Sequence, residues 1–136
     1  MSGFILSARS LQRLEGVHPR LVEIVKLAIQ RTAVDFTVVE GLRTPERQRQ
    51  LKAAGKSQTL NGLHLVQADG YGHAVDLAPL VNGVIPWDDW AEFRRLAEVV
   101  KACAAELGTP VEWGGDWRTL KDGPHFQLPR GWKAPA

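Results

Sequence analysis

The chain has 136 residues, 44% hydrophobic and 24% charged, with a formal net charge of +2 at pH 7, which suits one domain with its own core. Cys103 is the only cysteine, so an intramolecular disulfide is excluded and a small buried thiol is the expected role. Lys and Arg are dispersed among acids, which sets nucleic acid aside as a partner, and no segment approaches membrane-spanning length.

"SARSLQRLEG" reads as a short helix capped by Ser7 and stopped near Gly16. A longer helix starts around Pro19, with Leu21, Ile24, Val25 and Ala28 recurring at helical spacing to face the core. "DFTVVEG" alternates as a strand, with Phe36 and Val38 on one face. Thr44-Pro45 opens the helix "PERQRQLKAAG", which Gly55 closes. Residues 56–71 show no clean period and read as loop. "GHAVDLAP" alternates as a strand, and Asn82-Gly83 signals a hairpin to Val84-Ile85. From Asp88 a long helix carries Trp90, Phe93, Leu96, Ala97, Val100 and Leu107 on one side, with Gly108 at its end. "PVEWGG" and "PHFQLP" give two last strands. The expected class is α+β, a small antiparallel sheet flanked by helices.

Chemistry concentrates in the second half. On "GHAVDLAP" the period of two turns Ala74 and Asp76 to one face and His73 and Val75 to the other. Partners for Asp76 on a metal therefore come from elsewhere, with His64 brought over by the loop and His125 starting the last strand. Two histidines and one carboxylate are a common protein contribution to a catalytic zinc site. They also occur in ordinary loops and turns. Asp122 lies three residues before His125 across a Gly-Pro turn, placed to exchange protons beside an ion. Asp-Gly-Pro is also good turn chemistry, and both readings can hold together.

"EGLRTPERQ", "SQTLNGLHL", "GHAVDLAP" and "EWGGDWRTLKDGPHFQLP" together resemble the zinc D-alanyl-D-alanine carboxypeptidase family, with its hedgehog-type fold. Within it they are most similar to small phage endolysins that cut between L-alanine and D-glutamate in peptidoglycan. The likeness covers nearly all of residues 1–136, which implies a single zinc peptidase domain without a separate wall-binding domain. By that resemblance Asp76 and His125 match zinc ligands, Asp122 the general base, and Arg43 the arginine that supports the oxyanion. Gln48 matches a glutamine near the substrate. An ion pair with Glu46 or Glu40 is the plainer role for Arg43, and a solvated helix face the plainer one for Gln48.

The chain departs from the family at one place. The family's first zinc histidine usually stands seven residues before the aspartate, and that slot here is Asp69, whereas His64 stands twelve before Asp76. "VQADG" then reads as a five-residue insertion after His64. The alternative, Asp69 as ligand, puts two carboxylates on the ion and makes a harder, weaker site, so His64 is preferred. His73 is expected at the rim or behind a ligand, and His18 without a chemical role. Trp113 and Trp117 flank "GGD" before the Asp122 loop and are candidate substrate-binding residues, with core packing the default for Trp90. Asp116 is a candidate to orient a ligand histidine, and Trp132 is unassigned.

The resemblance implies a zinc-dependent, bacteriolytic peptidoglycan endopeptidase acting as a monomer. The other readings are a zinc D-alanyl-D-alanine carboxypeptidase or an inert zinc-bearing wall-binding module. The N-terminal apolar run is too short for a signal peptide. The expected course is therefore host cytoplasm until lysis and then the cell wall, with a holin-type partner giving access.

Overall fold

Four helices, four strands and one 3₁₀ turn appear in the expected order among the described residues, which in this computed structural model are 2–55, 62–119 and 121–135. Residues 57–61 of the "SQTLNGLHL" motif lie outside them. Ser7 accepts from the Ser10 amide at 3.0 Å and caps α1 (Ala8–Arg13). In α2 (Pro19–Arg31) the buried residues are Leu21, Ile24, Val25, Ala28 and Ile29, the stripe that the spacing required. The cap of α2 is His18, whose Nδ1 accepts from the Arg20 amide at 3.0 Å. Strand β1 (Phe36–Glu40) is followed by α3 (Pro45–Ala53), capped by Thr44. Strand β2 (Ala74–Pro79) leads to α4 (Trp90–Leu107), which ends on Gly108 at φ 70°, a left-handed position that glycine takes at little cost. Strand β3 (Glu112–Trp113), the 3₁₀ turn (Gly114–Asp116) and β4 (His125–Gln127) complete the fold.

The sheet is antiparallel throughout, in the order β1-β2-β4-β3. Helices α2 and α4 share one core with it, joining Ile24, Ala28, Val100 and Cys103 to Phe36, Val38, Val75, Leu77 and Phe126. The Val, Leu, Ile and Phe side chains among these contribute roughly 1.5–3 kcal/mol each when fully withdrawn from water. Because successive side chains alternate, the strand positions between these point away from that core. There Asp76 stands opposite His125 on one neighbour and Glu40 on the other. The register of β1 shifts between Val38 and Glu40. Without that shift Glu40 would face Val75 on the core side.

Two expectations are corrected. Asn82 (φ 52°) and Gly83 (φ 77°) do make the tight turn, but it is closed by a lone Val81–Val84 bridge, not by a strand at Val84-Ile85. Val84 is exposed and Pro86 cannot donate, so nothing extends the ladder. Trp90 is not core: it is 38% exposed and stacks on Trp113 at 5.5 Å.

Candidate active site

Asp76 is the centre of the site. Its Oδ1 lies 3.2 Å from His64 Nε2 and 3.2 Å from His125 Nδ1. Ligand-capable atoms of the three residues all lie within 4.8 Å of one another, the one such group among the described residues. His125 arrives by strand pairing. His64 arrives by the loop, and the loop explains the long spacing to Asp76. Val66 bridges Gly72, the Gln67 amide donates to Tyr71 O at 2.8 Å, and the Gly70 amide donates to Gln67 O at 2.9 Å. Residues 66–72 are thus folded into a small closed hairpin, and the His73 amide then rejoins Leu63 O at 2.7 Å.

That hairpin also settles where Asp69 goes. Its Oδ2 lies 2.7 Å from His73 Nε2 and 3.7 Å from His18 Nε2, and Trp132 packs edge-on against both histidine rings. Asp69 is therefore engaged away from Asp76, and His64 takes the place beside it. His73 is not a rim residue of the cluster either, since its partners are Asp69, His18 and Trp132. Asp116 pairs with Lys101 at 2.5 Å and orients no histidine.

The donor set suits a metal ion. His64 Nδ1 lies 2.9 Å from Gly41 O, which only accepts, so that nitrogen carries the hydrogen and Nε2 turns its lone pair toward Asp76. His125 meets Gln127 on its outer side, at 2.7 Å. Electron-rich atoms thus converge on one point, and either added protons or a cation must balance them. When added protons are the balance, burial alone would raise the Asp76 carboxyl, but the hydrogen bonds that His125 and His64 then donate hold it far below the usual range. Burial would lower His125, and the Asp76 hydrogen bond and charge outweigh it and raise it.

Asp122 sits on the turn into β4. The Gly114 carbonyl accepts from the Asp122 amide at 3.1 Å and the Trp117 amide at 3.3 Å, and the His125 amide donates to Asp122 O at 3.2 Å. Burial and then the negative charge of Asp76 push the Asp122 carboxyl upward, against His125, His64 and Arg43. A carboxylate so placed can take a proton at one step and return it at the next.

Arg43 follows β1, and its amide donates to His64 O at 2.8 Å. Its Nε and Nη2 donate to the two oxygens of Glu40 at 2.8 and 2.9 Å, and Nη1 donates to Gln48 Oε1 at 2.6 Å. The ion pair with Glu40 and closeness to the site coexist, because Asp76 and Asp122 both act on the Arg43 charge. Gln48 does not lie on a solvated face: it is 1% exposed. Trp117 reaches the cluster, its ring 5.1 Å from that of His125. Trp113 does not line the cleft. It is 4% exposed, and its indole N–H donates to Gly123 O at 2.7 Å, bracing the Asp122 turn from behind.

Sequence reasoning offered Glu40 only as an ion-pair partner of Arg43, which the 2.8 Å contact bears out, and missed Gln127. Gln127 was findable, since a residue two positions after His125 on a strand shares its face. The place of Glu40 opposite Asp76 was not, because it depends on the register shift in β1.

The comparisons point the same way as the geometry. The phage L-alanyl-D-glutamate peptidase family matches residues 1–128. The L-alanyl-D-glutamate peptidase of Escherichia phage T5 is 30% identical over 94% of this chain and 91% of its own. The peptidoglycan L-alanyl-D-glutamate endopeptidase CwlK of Bacillus subtilis is 30% identical over 78% of this chain and 68% of its own. The crystal structure of the Serratia marcescens L-Ala D-Glu endopeptidase ChiX superposes with a TM-score of 0.81 at 47% identity, covering 93% of this chain and 91% of that one. The fold, the His-Asp-His cluster and a match over most of the chain together make it a member of the phage L-alanyl-D-glutamate peptidase family.

Proposed function

We propose that this chain is a zinc-dependent peptidoglycan hydrolase that cuts the L-alanyl-D-glutamate bond of cell-wall stem peptides. The convergence of His64, Asp76 and His125 beside Asp122 and Arg43, in a chain of this family, carries the reading. His64 through Nε2, Asp76, and His125 through Nδ1 are the residues that would hold the ion. Bound there, zinc supplies Lewis acidity to the scissile carbonyl and to the attacking water.

The chain's own residues do the rest. Asp122 accepts the proton of the water whose oxygen bonds to the L-alanine carbonyl carbon. The raised affinity of Asp122 for a proton suits it to pass that proton to the D-glutamate nitrogen as the C–N bond breaks. Arg43 faces the oxygen that becomes negative, its planar fork already oriented by Glu40 and Gln48. Trp117 offers an aromatic face beside His125. The protein acts as a monomer, held in the host cytoplasm until a holin-type partner opens the way to the wall. Among the described residues no helix is long and apolar enough to cross a membrane.

Mass spectrometry of digested peptidoglycan tests the reading. New D-glutamate amino termini are expected. Release of terminal D-alanine instead would make the enzyme a carboxypeptidase, and an unchanged digest would make it an inert module. A chelator should abolish the clearing of outer-membrane-permeabilised Gram-negative cells.

A further inference from the structure

One face of the sheet carries an ordered chain of three polar side chains that ends on a ligand histidine. Glu112 and Gln127 are opposite each other across β3 and β4, and His125 lies two residues before Gln127, so all three project from the same face. Gln127 Nε2 donates to Glu112 Oε1 at 3.0 Å, and Gln127 Oε1 lies 2.7 Å from His125 Nε2. A carboxylate only accepts, so Glu112 draws the amide NH₂ of Gln127 toward itself and leaves the amide oxygen facing His125. That oxygen also only accepts, so His125 Nε2 carries the hydrogen. The lone pair is then on Nδ1, the atom 3.2 Å from Asp76 Oδ1 inside the cluster.

We propose that Gln127, oriented by Glu112, is a positioning residue that selects Nδ1 of His125 as the metal-binding atom. The inference rests on the metal reading above and goes beyond it, because it assigns the choice of nitrogen to two residues outside the cluster. With the other tautomer, Nε2 would set its lone pair against the Gln127 oxygen, and Nδ1–H would point at the ion. Both contacts are repulsive. The partner of the histidine is a neutral amide, so the charge of Glu112 reaches His125 only through that amide, fixing the tautomer without a second anion against the ring. Outer partners of this kind set ligand orientation and metal affinity together.

Zinc affinity, read by competition with a chromophoric chelator on the full chain, tests the proposal with three proteins. Wild type sets the reference. Gln127→Leu, similar in bulk but without an acceptor, should bind zinc roughly 10–100-fold more weakly. The exchange Glu112→Gln with Gln127→Glu reverses donor and acceptor between the two side chains yet leaves an acceptor at His125, so its affinity should stay near wild type. A packing role for Gln127 would instead leave Gln127→Leu near wild-type affinity, because leucine keeps the bulk. Long-range ¹H–¹⁵N spectra of the zinc-loaded wild type should show His125 Nε2 protonated and Nδ1 coordinated. Equal zinc affinity in wild type and Gln127→Leu, or coordination through Nε2, overturns the proposal. A wild-type chain that binds no zinc refutes the metal reading itself, which keeps the two failures apart.

Discussion

Gly114 is where a single methyl group should separate placement of the base from binding of the metal. A Cβ at that position would lie 2.4 Å from the Asp122 backbone oxygen, 3.0 Å from Asp122 Cβ and 3.1 Å from His125 Cβ. Ordinary contact begins near 3.4 Å, so in Gly114→Ala the Asp122 carbonyl has to retreat by 3.4 − 2.4, about 1 Å. It has little room behind it. The next carbonyl, Gly123 O, is held at 2.7 Å by Trp113 Nε1, and the space beyond Gly123 is filled by Trp90 and Phe93. The turn must therefore move sideways and carry the Asp122 carboxylate with it. A misplacement of ~1 Å in a reacting group costs about 10²-fold. His125 has to give only a few tenths of an ångström, so the ligand set suffers less. The expectation for Gly114→Ala is kcat on a soluble stem peptide lower by ~10²-fold with zinc still bound. Kinetics, metal analysis and a melting curve on one preparation measure it. A folded, zinc-loaded variant with wild-type kcat would refute the argument that Gly114 fixes the base.

Asp122→Asn keeps the shape and removes the base, so zinc content should be normal and activity lower by ~10²–10⁴-fold; near-normal turnover would assign the base elsewhere. Arg43→Ala should lower kcat by ~10²-fold with zinc retained, as for loss of one oxyanion donor. Lysine should rescue it in part, because a point charge does not reproduce the planar fork that grips both oxygens of Glu40; a raised KM at unchanged kcat would make Arg43 a substrate-binding residue. Metal analysis should find zinc lost in His64→Ala and kept in Asp69→Ala, and the reverse pattern would return the ligand role to Asp69. His18 is held below its ordinary value by burial, against the pull of Asp69. Its folded form therefore resists protonation, and stability should fall as pH drops below about 6.5. His18→Asn keeps a helix cap of about 1 kcal/mol and should flatten melting temperature against pH between roughly 7 and 5; an unchanged slope would place the effect in other groups.

How much of this was legible depended on whether the decisive contact was local. The stripe of α2, the caps Ser7 and Thr44 and the left-handed Gly108 follow from spacing within one element, and the sequence shows them directly. The face of Asp76 was legible for the same reason. The company of Asp76 was not. A period of two says which residues share a face within a strand, but only the register says which strand positions meet. The shift in β1 moves Glu40 from opposite Val75 to opposite Asp76, and nothing in "DFTVVEG" marks it. From that place Glu40 grips Arg43, which joins Gln48 to the site from α3 and makes a helix that looks solvated in sequence bury a glutamine. One extra backbone residue thus brings the arginine, its carboxylate partner and the amide behind it to the cluster. A bulge beside an active site re-aims a side chain in this way. Here it turns what the sequence offered as a surface ion pair into a cation held beside the His-Asp-His cluster.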